Sequence, residues 1–183
     1  PPGDDGAQED VDSLYDALSR VMGEIDVAQG EGDVLVFLPG EREIRQSLDW
    51  LSKNFLSKLR RSKWEALPLY SKLSVQDQNR IFTPAHCRRV ILTTNIAETS
   101  LTIPKIQYVI DSGLARVKRY SYRNKVEMLQ VEKISQASAN QRAGRSGRVM
   151  NGVCVRLYSE IDFDQRLVHT EPEILRSSLA SVI

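Results

Sequence analysis

Cysteine is scarce in this sequence of 183 residues, which carries only Cys87 and Cys154. Two cysteines cannot build a disulfide framework, and no C-x-x-C pair offers zinc a ligand set. His86 beside Cys87 and the lone His169 do no better, because adjacent residues rarely share one tetrahedral ion, so no metal ligand is expected. This cysteine usage points to a reducing compartment, and a cytoplasmic location is the expectation. Long apolar runs are also missing. None approaches the ~18–20 residues that a membrane span needs, so no membrane partner is expected. The first ten residues, PPGDDGAQED, are polar and acidic, unlike a secretory signal. Nor is there an excess of either charge, since 25 Lys and Arg face 24 Asp and Glu for a net charge of +1. With 41% hydrophobic and 27% charged residues, the chain has the balance of an ordinary globular domain, long enough for one substantial core. Internal repeats and low-complexity segments are absent.

The near-zero net charge hides a gradient. Between Pro1 and Asp33 the acids crowd around a single basic residue, Arg20. Between Lys105 and Arg148 the sign reverses, and many Lys and Arg face only Asp111, Glu127 and Glu132. A basic stretch of that length suits phosphates, whether of nucleic acid or nucleotide. A solvated surface would show the same composition.

Hydrophobic periodicity alternates between helix and strand. Val11, Leu14, Tyr15, Leu18, Val21, Met22 and Ile25 mark an amphipathic helix over Glu9–Ala28, preceded by a frayed lead-in at residues 1–8. DVLVFL (Asp33–Leu38) is a nearly continuous apolar run, as in a parallel strand buried on both faces. Ile44, Leu48 and Leu51 trace a second helix. Further strands are expected at Ala66–Tyr70, Arg88–Thr94, Ile106–Asp111 and Gly152–Tyr158, with a short capped helix from Ser74 to Phe82. Pro172 opens a last helix running to Ile183. This order predicts an α/β fold, a parallel sheet flanked by helices, with a protruding β-hairpin.

In such sheets ligands gather at the carboxyl ends of the strands. Three segments fall there. In LTTNIAETSLTI (Leu92–Ile103), Asn95 and Glu98 have capping-box spacing. The hydroxyls and amide of Thr94, Asn95, Ser100 and Thr102 equally suit an anion at a helix N-terminus, and the residues alone leave both readings open. In QRAGRSGR (Gln141–Arg148), a helix at about 100° per residue puts Gln141, Arg145 and Arg148 on one face, at roughly 0°, 40° and −20°. Two guanidiniums aimed together suit a polyphosphate. Between the two, Gly113–Ile134 reads as the hairpin, with Ser121–Asn124 as its turn. Its cations Lys118, Arg119 and Arg123 suit phosphates, and Tyr120 and Tyr122 can stack on bases. A hairpin that merely covers a neighbouring domain is the other possibility.

The phosphate cradle is absent. No G-x-x-x-x-G-K-[ST] loop occurs, and no Asp-Glu pair ends a strand as a magnesium site. The chain has arginines for a triphosphate and nothing to hold one, which is half of an active site.

GDVLVFLPGEREI (Gly32–Ile44), LPLYSKLSVQDQNRIF (Leu67–Phe82), TTNIAETSLTI (Thr93–Ile103), YVIDSG (Tyr108–Gly113) and QRAGRSGR together resemble helicase motifs IV, IVa, V and VI, in order and at family spacing. The resemblance runs from about Gly32 to Ile183. It is to the DEAH-box group of superfamily 2 RNA helicases, and within it to the bacterial HrpA-type members. It implies a second RecA-like domain over residues 9–183, of P-loop-NTPase type, with 113–134 as a hairpin insertion. Residues 173–183 would begin the connection to further C-terminal domains. The P-loop and DEAH box would lie on a first RecA-like domain outside this chain, which would bind most of the ATP, or other NTP, and its Mg2+.

The resemblance also implies roles. Arg145 and Arg148 would be arginine fingers, and Gln141 would face the γ-phosphate or its attacking water. Phe82 would stack on the adenine, and Ser100 and Thr102 would sense the nucleotide. Thr94, Asn95 and the backbone at Gly40 would contact the RNA sugar-phosphate chain, whether single-stranded or unwound from a duplex. Pro104 stands where many relatives carry an acid that contacts ribose, a contact that proline cannot make. No role is carried over to Arg142. The competing class is a non-catalytic RNA-binding or scaffold module, and DNA in place of RNA is an alternative within the enzyme class.

Overall fold

The computed structural model describes residues 5–28, 30–58, 63–121, 125–147 and 151–172. It opens with helix α1, Asp5–Val27, whose apolar stripe Leu18, Val21, Met22 and Ile25 is buried. The helix starts ahead of the expected Glu9.

Five strands form one parallel sheet: β1 (Asp33–Phe37), β2 (Trp64–Leu69), β3 (Arg88–Thr93), β4 (Ile106–Asp111) and β7 (Val153–Arg156). Their spatial order is β2-β3-β1-β4-β7, and every pairing is parallel. Every residue of β1 is buried, as a central strand covered on both faces must be. Pro68 lies within β2, which its place at the sheet edge permits.

Helix α2 (Glu41–Asn54) and α1 cover one face, where Val34, Val36, Val90, Leu92 and Ile110 meet Leu18, Met22, Ile44 and Leu51. Helices α3 (Val75–Phe82) and α4 (Ile96–Thr99) cover the other, where Leu35, Phe37, Ile91 and Val109 meet Ile81 and Ala97. A 3-10 turn, Leu56–Lys58, follows α2. The expected cap of α3 forms: the Asp77 N–H donates to Ser74 Oγ at 3.1 Å.

Strands β5 (Leu114–Ser121) and β6 (Val126–Lys133) pair antiparallel as the predicted hairpin, outside the main sheet. Helix α5 (Gln136–Ala143) follows, capped by Ser135, which accepts from the Ser138 N–H at 3.1 Å. Helix α6 (Glu160–Asp164) was not anticipated, although Ser159 and Asp162 carry its cap at 3.1 Å. The predicted helix after Pro172 lies outside the described residues, as do Tyr122, Arg123 and Arg148.

At the amino ends of the strands, the buried pair Arg89–Asp33 ties β3 to β1. The Arg89 guanidinium also donates to the Ile81 carbonyl at 2.8 Å, fastening the end of α3.

Candidate functional site

All five strands point the same way, so their carboxyl ends gather the loops that start at Leu38, Tyr70, Thr94, Ser112 and Leu157. At the centre of this edge stands Arg142, the largest side chain with no exposed surface. Its Nε donates to Glu98 Oε1 at 2.8 Å. Its Nη1 donates to Asp111 Oδ1 at 2.7 Å and to the Leu114 carbonyl at 3.1 Å. The guanidinium carbon lies 4.8 Å from the centre of the Phe37 ring. Two carboxylates and an aromatic face compensate the burial of its charge. One residue therefore joins α5, α4, the end of β4 and the start of the hairpin.

Glu98 also accepts from Ser138 Oγ at 2.7 Å. That commitment explains why the Asn95–Glu98 capping box does not form: Asn95 adopts a helical backbone and makes no side-chain cap. Asn95 is exposed instead, and Thr94 is half-buried beside it.

The expected common helical face of QRAGRSGR does not form either. Helix α5 ends at Ala143 with Gly144 as its cap, and Gly147 takes a φ of +80°. Two glycines make continuation unfavourable, so the 100° rule stops before Arg145. Gln141 is exposed on the last turn. Arg145 reaches back from the following turn, donating to the Leu101 carbonyl at 2.9 Å and to the Glu98 carbonyl. It is thereby seated against the loop that carries exposed Ser100 and Thr102. Gly152 crosses close by: a Cβ there would lie 2.2 Å from the Gly147 nitrogen, so β7 can enter only as glycine.

Phe82 is the last residue of α3 and is 41% exposed. Helix α3 runs back from the carboxyl ends of the strands toward their amino ends, as α5 does with Gln141 on its last turn. Gly40 caps α2 and is buried; a Cβ there would lie 3.0 Å from Glu43 Oε2 and 3.2 Å from the Arg116 guanidinium. The Arg116 N–H donates to the Pro39 carbonyl at 3.1 Å, so the hairpin abuts the β1–α2 turn.

The basic stretch has acidic partners, several of them from outside it. Arg119 pairs with Glu132 and Glu171, Arg116 with Glu43, and Lys133 with Asp162. Lys118 is exposed. Arg142 and Glu98, to which the motifs gave no catalytic role, build the site's framework, whereas Arg166 and Tyr158, which the sequence did not single out, stand at the base of the hairpin. Tyr158 donates to Asp111 Oδ2 at 2.9 Å, and burial followed by the Asp111 charge pushes its phenol well above the usual range. A pocket of about 500 Å³ lies between the hairpin, α5 and the segment after α6, with Asn95, Arg119 and Ser138 in its wall.

A parallel five-stranded sheet with helices on both faces, its loops converging on one edge beside a protruding hairpin, is the RecA-like fold of a helicase C-terminal domain. The chain belongs to the helicase conserved C-terminal domain family, which matches residues 13–150. It is 52% identical over 180 residues to the ATP-dependent RNA helicase HrpA of Escherichia coli, covering 98% of this chain and 13% of that protein. It is 55% identical over 170 residues to the HrpA homolog of Haemophilus influenzae, covering 92% of this chain and 13% of the relative. The crystal structure of the Escherichia coli DExH-box NTPase HrpB superposes with a TM-score of 0.79 at 38% identity, covering 92% of this chain and 20% of that one.

Proposed function

We propose that the chain is the second motor domain of an ATP-dependent RNA helicase, and that it completes a nucleotide site whose other half lies on a first RecA-like domain. One observation carries the reading. Arg145 is seated against the Ser100–Thr102 loop, one turn past an exposed Gln141, in a chain whose sequence has no P-loop.

Arg145 donates to two neutral carbonyls, of Glu98 and Leu101. A phosphate oxygen is the better acceptor, since it adds an opposite charge and a bidentate match to the guanidinium fork that a carbonyl lacks. Arg145 is thus held where a γ-phosphate could draw it away, and Arg148 would join it as the second finger. Bound ATP with its Mg2+ would supply the phosphoryl group for in-line attack by water. Gln141 would orient that water, and Arg145 would neutralise charge on the transferring group. Among the described residues, no cluster of His, Cys, Asp and Glu could hold a metal ion, so the proposal places Mg2+ on the first domain. Phe82 would offer its open ring to the base, reached by closure of the two domains on the nucleotide.

On the RNA side, Thr94, Asn95 and Lys118 would meet a single strand drawn from a duplex. Arg119 would act there only by releasing Glu132 or Glu171. Gly40 would contribute backbone only, and only where Arg116 and Glu43 part. Tyr122 and Arg123 complete the proposed tip. The first RecA-like domain and C-terminal domains of a parent chain would be the protein partners, in the cytoplasm.

The test is turnover by the purified chain. Alone it should not hydrolyse ATP; joined to a P-loop domain of the same parent it should, with RNA stimulation. Turnover by the chain alone, unchanged by Arg145→Ala, would contradict the shared-site reading. A joined protein that binds RNA and hydrolyses nothing would favour the scaffold reading.

A further inference from the structure

The hairpin is long and narrow, with an exposed outer strand. Every β6 residue from Val126 to Val131 is exposed, so packing against the main sheet does not set its direction. A two-stranded ribbon is at best marginally stable in water. Its orientation comes from its inner strand, where Arg116 meets Glu43 and the Pro39 carbonyl and Arg119 meets Glu171, and from its neck.

That neck is closed by a compact set of buried bonds. The Ile134 N–H donates to the Gly113 carbonyl at 3.0 Å, joining the two ends of the hairpin. Arg166, only 9% exposed, places Nη1 against both strands' ends, 2.7 Å from the Gly113 carbonyl and 3.3 Å from that of Ile134. The opposite edge of the same guanidinium grips Asp162 Oδ2, through Nε at 2.9 Å and Nη2 at 2.5 Å. Its flat face lies 3.8 Å from the centre of the Tyr158 ring. Tyr158 in turn donates to Asp111, whose other oxygen accepts the Gly113 N–H at 2.9 Å and Arg142 at 2.7 Å. Gly113 has a φ of +75°, and a Cβ there would lie 2.5 Å from the Tyr158 ring and 2.6 Å from Arg166 Nη2. The neck is therefore built around a glycine and two side chains that lie beyond the family match at residues 13–150.

We infer that Arg166 and Tyr158 clamp the neck of the hairpin and fix its angle on the sheet, which makes them positioning residues for strand separation. The inference rests on the motor reading above. A force on the tip becomes a torque at Gly113 and Ile134. With the clamp intact, movement of the domain carries the tip with it. With the clamp loosened, the hairpin swings and the stroke is lost, while Arg142 still holds Glu98 and Asp111 and Arg145 keeps its seat.

The experiment uses the parent enzyme with Arg166→Met, Arg166→Lys and Tyr158→Phe, scoring ATP hydrolysed and duplex separated in one reaction. Methionine keeps bulk without donors. Lysine keeps charge but cannot bridge two carbonyls and Asp162 together. Phenylalanine keeps the stacked ring and loses only the bond to Asp111. The RNA-stimulated kcat should stay within about twofold of wild type, with KM for ATP unchanged. Duplex separated per ATP should fall roughly tenfold in both Arg166 variants and by about threefold in Tyr158→Phe. Amide exchange at Ile134 should quicken in all three, a local change that turnover alone does not report. Unwinding and ATPase lost in parallel, or unwinding per ATP unchanged, would overturn the clamp. A wild-type parent without RNA-stimulated turnover would overturn the motor reading itself, and the clamp's role with it.

Discussion

Arg142 and Arg145 are neighbours on one motif with different partners. Arg142 is fully buried and matched by Glu98 and Asp111, whereas Arg145 is half-buried and faces neutral carbonyls. The proposed function asks the first to keep its partners and the second to exchange them. Phe82 offers a third kind of residue, an aromatic ring that the fold leaves 41% exposed. Stacking ignores the base edge, so Phe82→Ala in the parent should weaken ATP and GTP binding alike, by about 1–2 kcal/mol, read as a rise in KM for both. A loss confined to ATP would show that the pocket reads hydrogen bonds instead. Cys154 gives a prediction that needs only this chain. Burial, aided by the Asp111 charge, pushes its thiol from 9.0 up to about 11. A raised thiol pKa means that folding favours the protonated form, an advantage complete below pH 9.0 and lost as pH climbs through about 11. Alkylation at pH 8 should therefore run roughly 100-fold slower than in the urea-unfolded chain, followed by mass spectrometry. Equal rates would mean that the site is open or that β7 is not seated.

Among the elements, those whose causes are local were legible. IQYVID (Ile106–Asp111) is a strand over those very residues because its apolar content suits a strand buried in a parallel sheet. The caps at Ser74 and Ser135 follow from a side chain reaching a backbone N–H three residues on. The hairpin follows from two β-prone runs about a turn. The end of α5 was misjudged because helical periodicity was carried through Gly144 and Gly147, where the backbone leaves the helix. The hairpin also carries a prediction of its own. Lys118 is exposed, while Arg119 already lies against Glu132 and Glu171. Lys118→Gln should thus lower the salt dependence of RNA binding by about one unit of slope, and Arg119→Gln should leave it nearly unchanged. Equal effects would mean that RNA displaces the acids from Arg119. Removing residues 121–125 at the tip should reduce unwinding and spare RNA-stimulated ATPase.

At the scale of the whole molecule, the charge gradient looks different from its first reading. Part of the basic stretch is neutralised by acids distant in sequence, inside it and beyond it, and Arg142 illustrates why the pairing was not legible: its two carboxylates lie 31 and 44 residues away. A one-dimensional pattern reports what lies within a turn or a strand, whereas a parallel sheet brings together segments separated by whole helices. The proposed site residues come from the motifs, but the framework that holds them could not be read there. That framework seats Arg145 beside the Ser100–Thr102 loop, and the account stands or falls on what Arg145 does. The direct measurement is steady-state ATP hydrolysis and nucleotide-free RNA binding by the parent enzyme and its Arg145→Ala variant. The account predicts that kcat falls by roughly 10³-fold, the range for an arginine finger, while RNA affinity barely changes. Collapse of RNA affinity with hydrolysis preserved would contradict it and make Arg145 a nucleic-acid ligand.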